Sequence, residues 1–324
     1  MMINNNIKLQ QLRHFVISAE VGKFSSAANI LGIAQPALSQ SIQKLEIVLN
    51  TKLLLRNQQG VTLTESGKLF FTKAKKILND LLVAQEDIKS LTDEPSGNVK
   101  IFLSPKLLSL ISMKLYKHMN TKYPKINLQF EEGFGLRGSN LIENGEIDIG
   151  VLPDWKFNKN INSQLIISDN LYFYGKKDLI NNTNKPIKFS ELINYPLILT
   201  GAQVILRQKL NNLSNKLNKR LQIIIGSDSQ TYTESFINEG LAYSIGPAEA
   251  SYKERKNNIF FAREIIEPQI SRSVVICWPK IKTISKAAQI TAQNLLLILK
   301  ELHTEDILVG EFLYHDEKKR FMSM

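Results

Sequence analysis

The stretch AQPALSQSIQKLE, residues 34–46, carries one apolar helical stripe opposite an almost uncharged face. Leu38, Ile42, Leu45 and Leu49 recur at steps of four, three and four, as one side of a helix requires. Pro36 fits the first turn of that helix, because the N–H it lacks would have no intrahelical partner there. Two shorter segments precede it. Leu9, Leu12, Val16 and Ala19, with Phe15 beside them, share a face of a helix over 9–21 that Gly22 ends. Ser25 can cap a second helix with Phe24, Ala27, Ala28 and Leu31 inside, and Gly32 allows a tight turn. Three short helices, the last two joined through a glycine, form a helix-turn-helix pattern. This pattern restricts the fold more than any other feature of the chain.

The following residues extend the pattern. KLLLRNQQGVTL, residues 52–63, has two β-prone runs around a polar tip ending in glycine, which reads as a hairpin or wing. Thr64 then caps a helix reaching about Leu91. Phe70, Ala74, Ile77, Leu81, Ala84, Ile88 and Leu91 form a heptad seam within it. A helix packed on a core would show a wider apolar face, so the narrow seam points to a coiled-coil dimer. TDEPSGN, residues 92–98, is an acidic hinge with helix-stopping proline and glycine.

From Val99 the pattern changes to alternating strands and helices. Strands are expected at 99–103, 126–130, 147–152, 197–199, 222–226, 242–245 and 273–278. Helices are expected at 105–123, 136–144, 204–217, 232–239 and 284–302, and a longer apolar segment lies at 165–174. Such alternation implies a mostly parallel sheet covered by helices. Two blocks of similar rhythm suggest two α/β lobes. The expected organisation is a winged helix-turn-helix at 1–64, a linker helix at 65–91, a hinge at 92–98 and an α/β domain at 99–301. Its first lobe takes 99–164 and 267–301 and its second takes 165–266. Residues 302–324 form an extension, in which Leu308, Phe312 and Leu313 can pack on the body while Lys318, Lys319 and Arg320 look solvated.

Composition narrows the function. No run of apolar residues is long enough to span a membrane, and MMINNNIKLQ lacks a signal-peptide core, so the expected location is the cytoplasm. Cys277 is the single cysteine, which excludes an intramolecular disulfide. His14, His118, His303 and His315 are scattered without metal spacing, and neither a metal nor a cofactor is expected. The net charge of +11 is uneven: up to Lys76, ten basic residues face three acidic ones, giving +7. Such a segment attracts polyanions, nucleic acid first, although a solvated basic surface would have the same composition.

In a helix-turn-helix, the N-terminal residues of the second motif helix face base edges in the major groove. Here these are Gln35, Pro36, Ser39 and Gln40, with Gln43 one turn further along. Glutamine can bond adenine in two places, serine can use either partner type, and a proline ring can touch a thymine methyl. Arg56 on the wing can enter the minor groove or pair with phosphate. In the α/β part, Ser104 follows the first strand and precedes Pro105, so it is placed as a helix N-cap at a site suited to an anion. Thr200 and Gly201 stand in the equivalent place of the second lobe, and Gly246 and Pro247 follow another strand. Arg207 can meet a carboxylate or lie on the surface. Gly133, Gly135 and Gly138 lack phosphate-loop spacing. No Gly-x-Ser-x-Gly elbow, dinucleotide fingerprint or Cys/His pair supports an enzyme.

LRHFVISAEVGKFSSAANILGIAQPALSQSIQKLE followed by LLLRNQQGVTLTESGKLF resembles the winged helix of the LysR-type transcriptional regulators. The resemblance continues through the linker helix and a two-lobed domain similar to type 2 periplasmic binding proteins, over about residues 9–301. Within the family, AQPALSQ, RNQQGVTLTESGK and EPQISRS are similar to the branch containing the nitrogen-assimilation control regulator. The resemblance implies a homodimer or homotetramer on an interrupted inverted repeat, with DNA contacts at Gln35, Pro36, Ser39, Gln40 and Arg56. It further implies an effector between the lobes, lined by Ser104, Pro105, Thr200, Gly201 and Gly246. Many members carry arginine where Gln40 stands, so base preference does not transfer. The expected partners are promoter or operator DNA, a small organic effector of anionic character and a second copy of the chain, with RNA polymerase a further candidate. An effector-independent regulator or an architectural DNA binder is the alternative, and flat affinity across operator and random DNA would mark the latter.

Overall fold

A computed structural model of the chain describes residues 7–57, 60–92, 94–154, 160–179, 185–201 and 205–314. The chain divides into two compact units, one of residues 1–88 with 281–283, the other of 89–280 with 284–324.

The first unit opens with α1 (Leu9–Val21), α2 (Phe24–Leu31) and α3 (Gln35–Val48), followed by β1 (Leu54–Asn57), β2 (Gly60–Leu63) and α4 (Glu65–Thr92). Gly22 and Gly32 close the first two helices at φ of 71° and 65°, left-handed values that glycine adopts without a Cβ penalty. Helix α2 begins two residues earlier than a Ser25 cap would set: Lys23 occupies the N-cap and Ser25 falls inside the first turn. Thr64 does cap α4, its Oγ1 accepting from Gly67 N at 2.8 Å. Phe15, Leu38, Ile42 and Leu45 are fully buried, with Leu12, Ala27, Ala28 and Val61 around them. The α3 stripe therefore holds the helix to its neighbours as its periodicity requires. A Cβ on Gly67 would lie 2.0 Å from the Leu53 carbonyl oxygen, so glycine lets α4 approach the hairpin.

Glu46 joins α3 to the hairpin. It is 6% exposed, accepts from Leu53 N at 2.9 Å and Leu54 N at 3.2 Å, and pairs with Lys52 at 2.7 Å. Burial raises the pKa of its carboxyl, but the Lys52 and backbone bonds outweigh that and leave it below the usual value. A depressed folded pKa stabilises the fold above the unfolded value, and that contribution is lost as pH falls through the folded one. Glu46→Ala strands two buried N–H groups. It should cost about 1–3 kcal/mol at neutral pH and flatten the acid limb of the stability profile. Guanidinium titrations of wild type and variant across mildly acidic to neutral pH check this, and superimposable profiles would refute it.

The seam on α4 is divided. Ala74 is fully buried in the winged-helix core, and Phe70 and Leu78 pack against it. Phe70 and Ala74 therefore belong to the fold of the unit, a correction to their reading as dimer contacts. Ile77, Leu81, Ala84 and Ile88 are exposed. The Leu91 side chain lies outside the described residues.

The second unit runs β3 (Gly97–Leu103), α5 (Pro105–Lys122), β4 (Ile126–Glu132), α6 (Gly135–Glu143), β5 (Ile149–Pro153), β6 (Ile161–Lys176), β7 (Ile187–Lys188), β8 (Pro196–Leu199), α7 (Ile205–Lys216), β9 (Gln222–Gly226), α8 (Gln230–Asn238), β10 (Ser244–Pro247), α9 (Tyr252–Lys256), β11 (Phe260–Ile266), β12 (Ser271–Pro279), α10 (Lys286–Thr304) and β13 (Glu311–Phe312). Strands β4, β3 and β5 are parallel, as are β8 and β9. The centre of the sheet is not. Strand β12 runs antiparallel to β5 and β6, and β10 and β11 run antiparallel to β6. The mostly parallel sheet expected from the α/β rhythm thus fails where β6 and β12 cross between the lobes. Strand β6 is 16 residues long; its first part pairs with β12 and its last part with β11. The unit's two largest hydrophobic cores are separate. One surrounds Ile101, Leu103, Ile111 and Leu295, and the other surrounds Phe173, Phe189, Leu197 and Leu210.

The segment after α10 folds back on the first lobe. Leu308 is buried there, Phe312 packs against that core, and β13 pairs antiparallel with β6. Leu313 N donates to Ile166 O at 2.7 Å. Lys318, Lys319 and Arg320 lie outside the described residues.

Candidate functional site

The first candidate surface is the outer face of α3. Gln35, Pro36, Gln40 and Gln43 are exposed on it, and Ser39 is half-buried. Ala34 is the N-cap and Pro36 lies in the first turn, so the start of the helix stays regular. Arg56 does not project from the tip of the wing. It sits on β1, where its Nη1 donates to Ser39 Oγ at 2.9 Å and its guanidinium lies 4.4 Å from the centre of the Phe24 ring. The cation–π contact and the hydrogen bond hold the charge beside the N-terminal half of α3. Phe24, read from sequence only as an inner-face residue, is thus the platform for that cation. Behind the surface, His14 Nδ1 meets Ser41 Oγ at 2.7 Å and ties α1 to α3. Burial, with Arg13 adding to it, pushes the His14 pKa down, so the ring stays neutral at physiological pH.

The second candidate is a cavity of about 120 Å³ between the lobes of the second unit. Ser104 and Pro105 at the start of α5 line it, and Thr200 after β8 faces them. Ser104 is the N-cap of α5, its Oγ accepting from Leu107 N at 3.4 Å. The other two expected residues, Gly201 and Gly246, are not among the residues that line the cavity. Gly201 N donates to Asp228 Oδ1 at 2.8 Å, so its N–H is already used. Gly246 is on β10 opposite Tyr172, and Pro247 forms the wall instead. Arg207 bonds the Thr200 carbonyl at 3.3 Å and lines a separate open groove on the second lobe. The glycine-rich stretch after β4 contributes Gly133 and Gly135 to the cavity wall, with Phe134 between them.

The electrostatics of the cavity rest on residues the sequence reading did not single out. Arg272, near the start of β12, binds both oxygens of Asp169 on β6 at 2.7 Å each and also Glu249 Oε1. The three side chains are 13%, 4% and 3% exposed. Arg272 and Glu249 line the cavity. Burial raises the pKa of Glu249 and Asp169 adds to this, while Arg272 opposes it; the result is a carboxyl above its usual value. On the opposite wall, Lys106 of α5 bridges Glu234 of α8 and Glu254 of α9. The available signal was a charged residue interrupting an apolar run: Asp169 within 165–174 and Arg272 before the run that follows it.

Cys277 is buried on β12, its Sγ donating to the Gly150 carbonyl at 3.4 Å. Burial pushes its pKa up, so it is held as an unreactive thiol. Among the described residues, no group of acidic, histidine or cysteine side chains could hold a metal ion, and no helix is long and apolar enough to cross a membrane.

Comparison with known proteins agrees with this geometry. Residues 9–68 match the lysR family of bacterial regulatory helix-turn-helix proteins, and residues 92–296 match the LysR substrate binding domain. The nitrogen assimilation regulatory protein nac of Klebsiella aerogenes is 26% identical over 301 residues, covering 93% of this chain and 98% of that one. In fold the chain is similar to a full-length OxyR variant from Pseudomonas aeruginosa, with a TM-score of 0.71 at 19% identity over 92% of this chain and 96% of that one. It is also similar to full-length CbnR complexed with its target DNA, with a TM-score of 0.59 at 18% identity over 91% and 99% of the two chains. The chain belongs to the LysR family of bacterial regulatory helix-turn-helix proteins and is a DNA-binding transcriptional regulator with an effector-binding domain.

Proposed function

We propose that this regulator reads promoter or operator DNA with Gln35, Pro36, Ser39, Gln40 and Gln43 against base edges and with Arg56 against a neighbouring phosphate. One observation carries the reading: the α3 face made by Gln35, Pro36, Ser39, Gln40 and Gln43 exposes amides rather than charges, with the Arg56 cation docked beside it. Amides discriminate bases by paired donors and acceptors, whereas phosphate contacts set register. Residues 1–64 act as the DNA-binding domain, 65–91 as the linker and 99–301 as the effector domain. Ile77, Leu81, Ala84 and Ile88 supply the homodimer seam, and pairs of dimers form the tetramer. A small molecule bound between the lobes, against Ser104, Pro105 and Thr200, favours one arrangement and shifts that population. The protein acts in the cytoplasm, where its promoter-bound form meets RNA polymerase, and it performs no catalysis.

Genome-wide footprinting of the full-length protein tests the reading. A short interrupted inverted repeat is the expected result. Uniform protection without a shared sequence would overturn it in favour of an architectural binder, and a single unpaired half-site would overturn the dimer.

A further inference from the structure

The buried Arg272 cluster has an odd charge count. In the hydrogen-bonded cluster one guanidinium faces two carboxylates, Asp169 and Glu249, so these three ionised groups carry a net charge of −1. The nearby Arg255 guanidinium, which also feels Glu249, gives its hydrogen bonds to Ser251 Oγ and the Ala248 carbonyl. Asp169 uses both oxygens on Arg272, and Glu249 uses only Oε1. Glu249 Oε2 is buried and has no hydrogen-bond partner among the described residues, and neither has Thr200 Oγ1. Both residues line the same cavity. A buried carboxylate oxygen without a donor is costly. The two basic side chains that line the cavity are committed already, Arg272 to this cluster and Lys106 to Glu234 and Glu254.

We propose that the occupant of this cavity presents a hydrogen-bond-donating, positively charged group, an ammonium or amidinium, to Glu249 Oε2, with Thr200 Oγ1 as its second polar contact. The inference rests on the effector reading above and changes the expected chemistry of the effector, since a purely anionic molecule would bring a further negative charge to a cluster already carrying −1. The ligand supplies the missing cation and lets Glu249 remain ionised where it is buried. The cavity, at about 120 Å³, is well below the roughly 300–1,000 Å³ of pockets for drug-sized ligands, so the occupant is a small amine, amidine or amino acid. Its position also explains how occupancy reaches the rest of the unit. Asp169 and Arg272 are directly paired residues of β6 and β12, the strands that cross between the lobes. Glu249 is carried by the turn after β10, which Arg255 holds through the Ala248 carbonyl at 2.9 Å.

The test uses full-length protein and thermal-shift titration with matched probes: alkylamines from methyl to butyl, the amino acids, guanidine and acetamidine, alkyl carboxylates of the same lengths, and their primary amides. Positively charged probes should raise the melting temperature and carboxylates should not. Glu249→Gln should weaken that binding roughly ten- to hundredfold, the effect of losing a charge-assisted hydrogen bond. The unliganded variant controls for folding: its melting temperature should equal or exceed that of wild type, because Asp169 alone then neutralises Arg272. Stabilisation by carboxylates alone, unaffected by Glu249→Gln, would overturn the proposed ligand class and leave the effector site standing. Amine binding that Glu249→Gln does not change would overturn the role of Glu249. No shift with any class would overturn both the ligand class and the effector reading.

Discussion

Arg272→Met should destabilise the second unit by about 3–5 kcal/mol, the cost of removing one partner from a buried ionic cluster. The guanidinium makes three hydrogen bonds to Asp169 and Glu249, both more than nine-tenths buried. Methionine fills a similar volume, so packing changes little, but two carboxylates are left facing each other without a counter-charge. For a unit of this size, about 2–4 °C per kcal/mol places the melting temperature roughly 6–20 °C lower. Part of the loss should return at acid pH. Glu249 has a raised folded pKa, so its ionisation opposes folding above the unfolded value, and protonation relieves the repulsion as pH falls through the folded one. Adding Asp169→Asn and Glu249→Gln to Arg272→Met should recover much of the stability, because the desolvated charges are then gone. Calorimetry of the variants at neutral and mildly acid pH measures all of this. A melting temperature within a degree or two of wild type for Arg272→Met alone would show that water reaches the cluster.

How far the sequence was legible depended on the range of the interactions. Helix α3 could be read closely because its determinants are local: a stripe of Leu38, Ile42 and Leu45, a proline at the start and a glycine in the preceding turn. The same local logic found Ser104 as a cap and Thr64 as another. It failed on α4, where a heptad seam cannot distinguish a partner helix from the unit's own core; Phe70 and Ala74 turned inward and Ile77 stayed exposed. It also failed on β6, where polar residues at 162–164 hid the first part of one long strand. The antiparallel crossover then follows from pairing with β12, more than a hundred residues away. The cavity's charges share that property. Asp169, Glu249 and Arg272 have no common motif and meet only once the strands cross, so neither spacing nor composition could assemble them.

Substituting Gln40 by alanine should lower operator affinity by about 1–3 kcal/mol, or roughly 5- to 150-fold, if its amide reads an adenine in two places. The effect should be confined to one base pair in each half-site: in a binding-site library, preference at that position relaxes and the others stay. Because the amide is uncharged, the dependence of affinity on salt should not change. Arg56→Ala should behave oppositely. Its guanidinium is exposed but held by Ser39 and the Phe24 ring, so on the proposed reading it meets a phosphate in a fixed place and carries no base information. Removing it should weaken binding to all sequences alike and reduce the slope of log affinity against log salt by about 0.9. Comparing the two variants on one operator library at two salt concentrations separates base reading from phosphate attraction on this surface. If Gln40→Ala lost affinity uniformly, or Arg56→Ala relaxed a single base pair, the assignment of amides to bases and of the cation to the backbone would have to be exchanged.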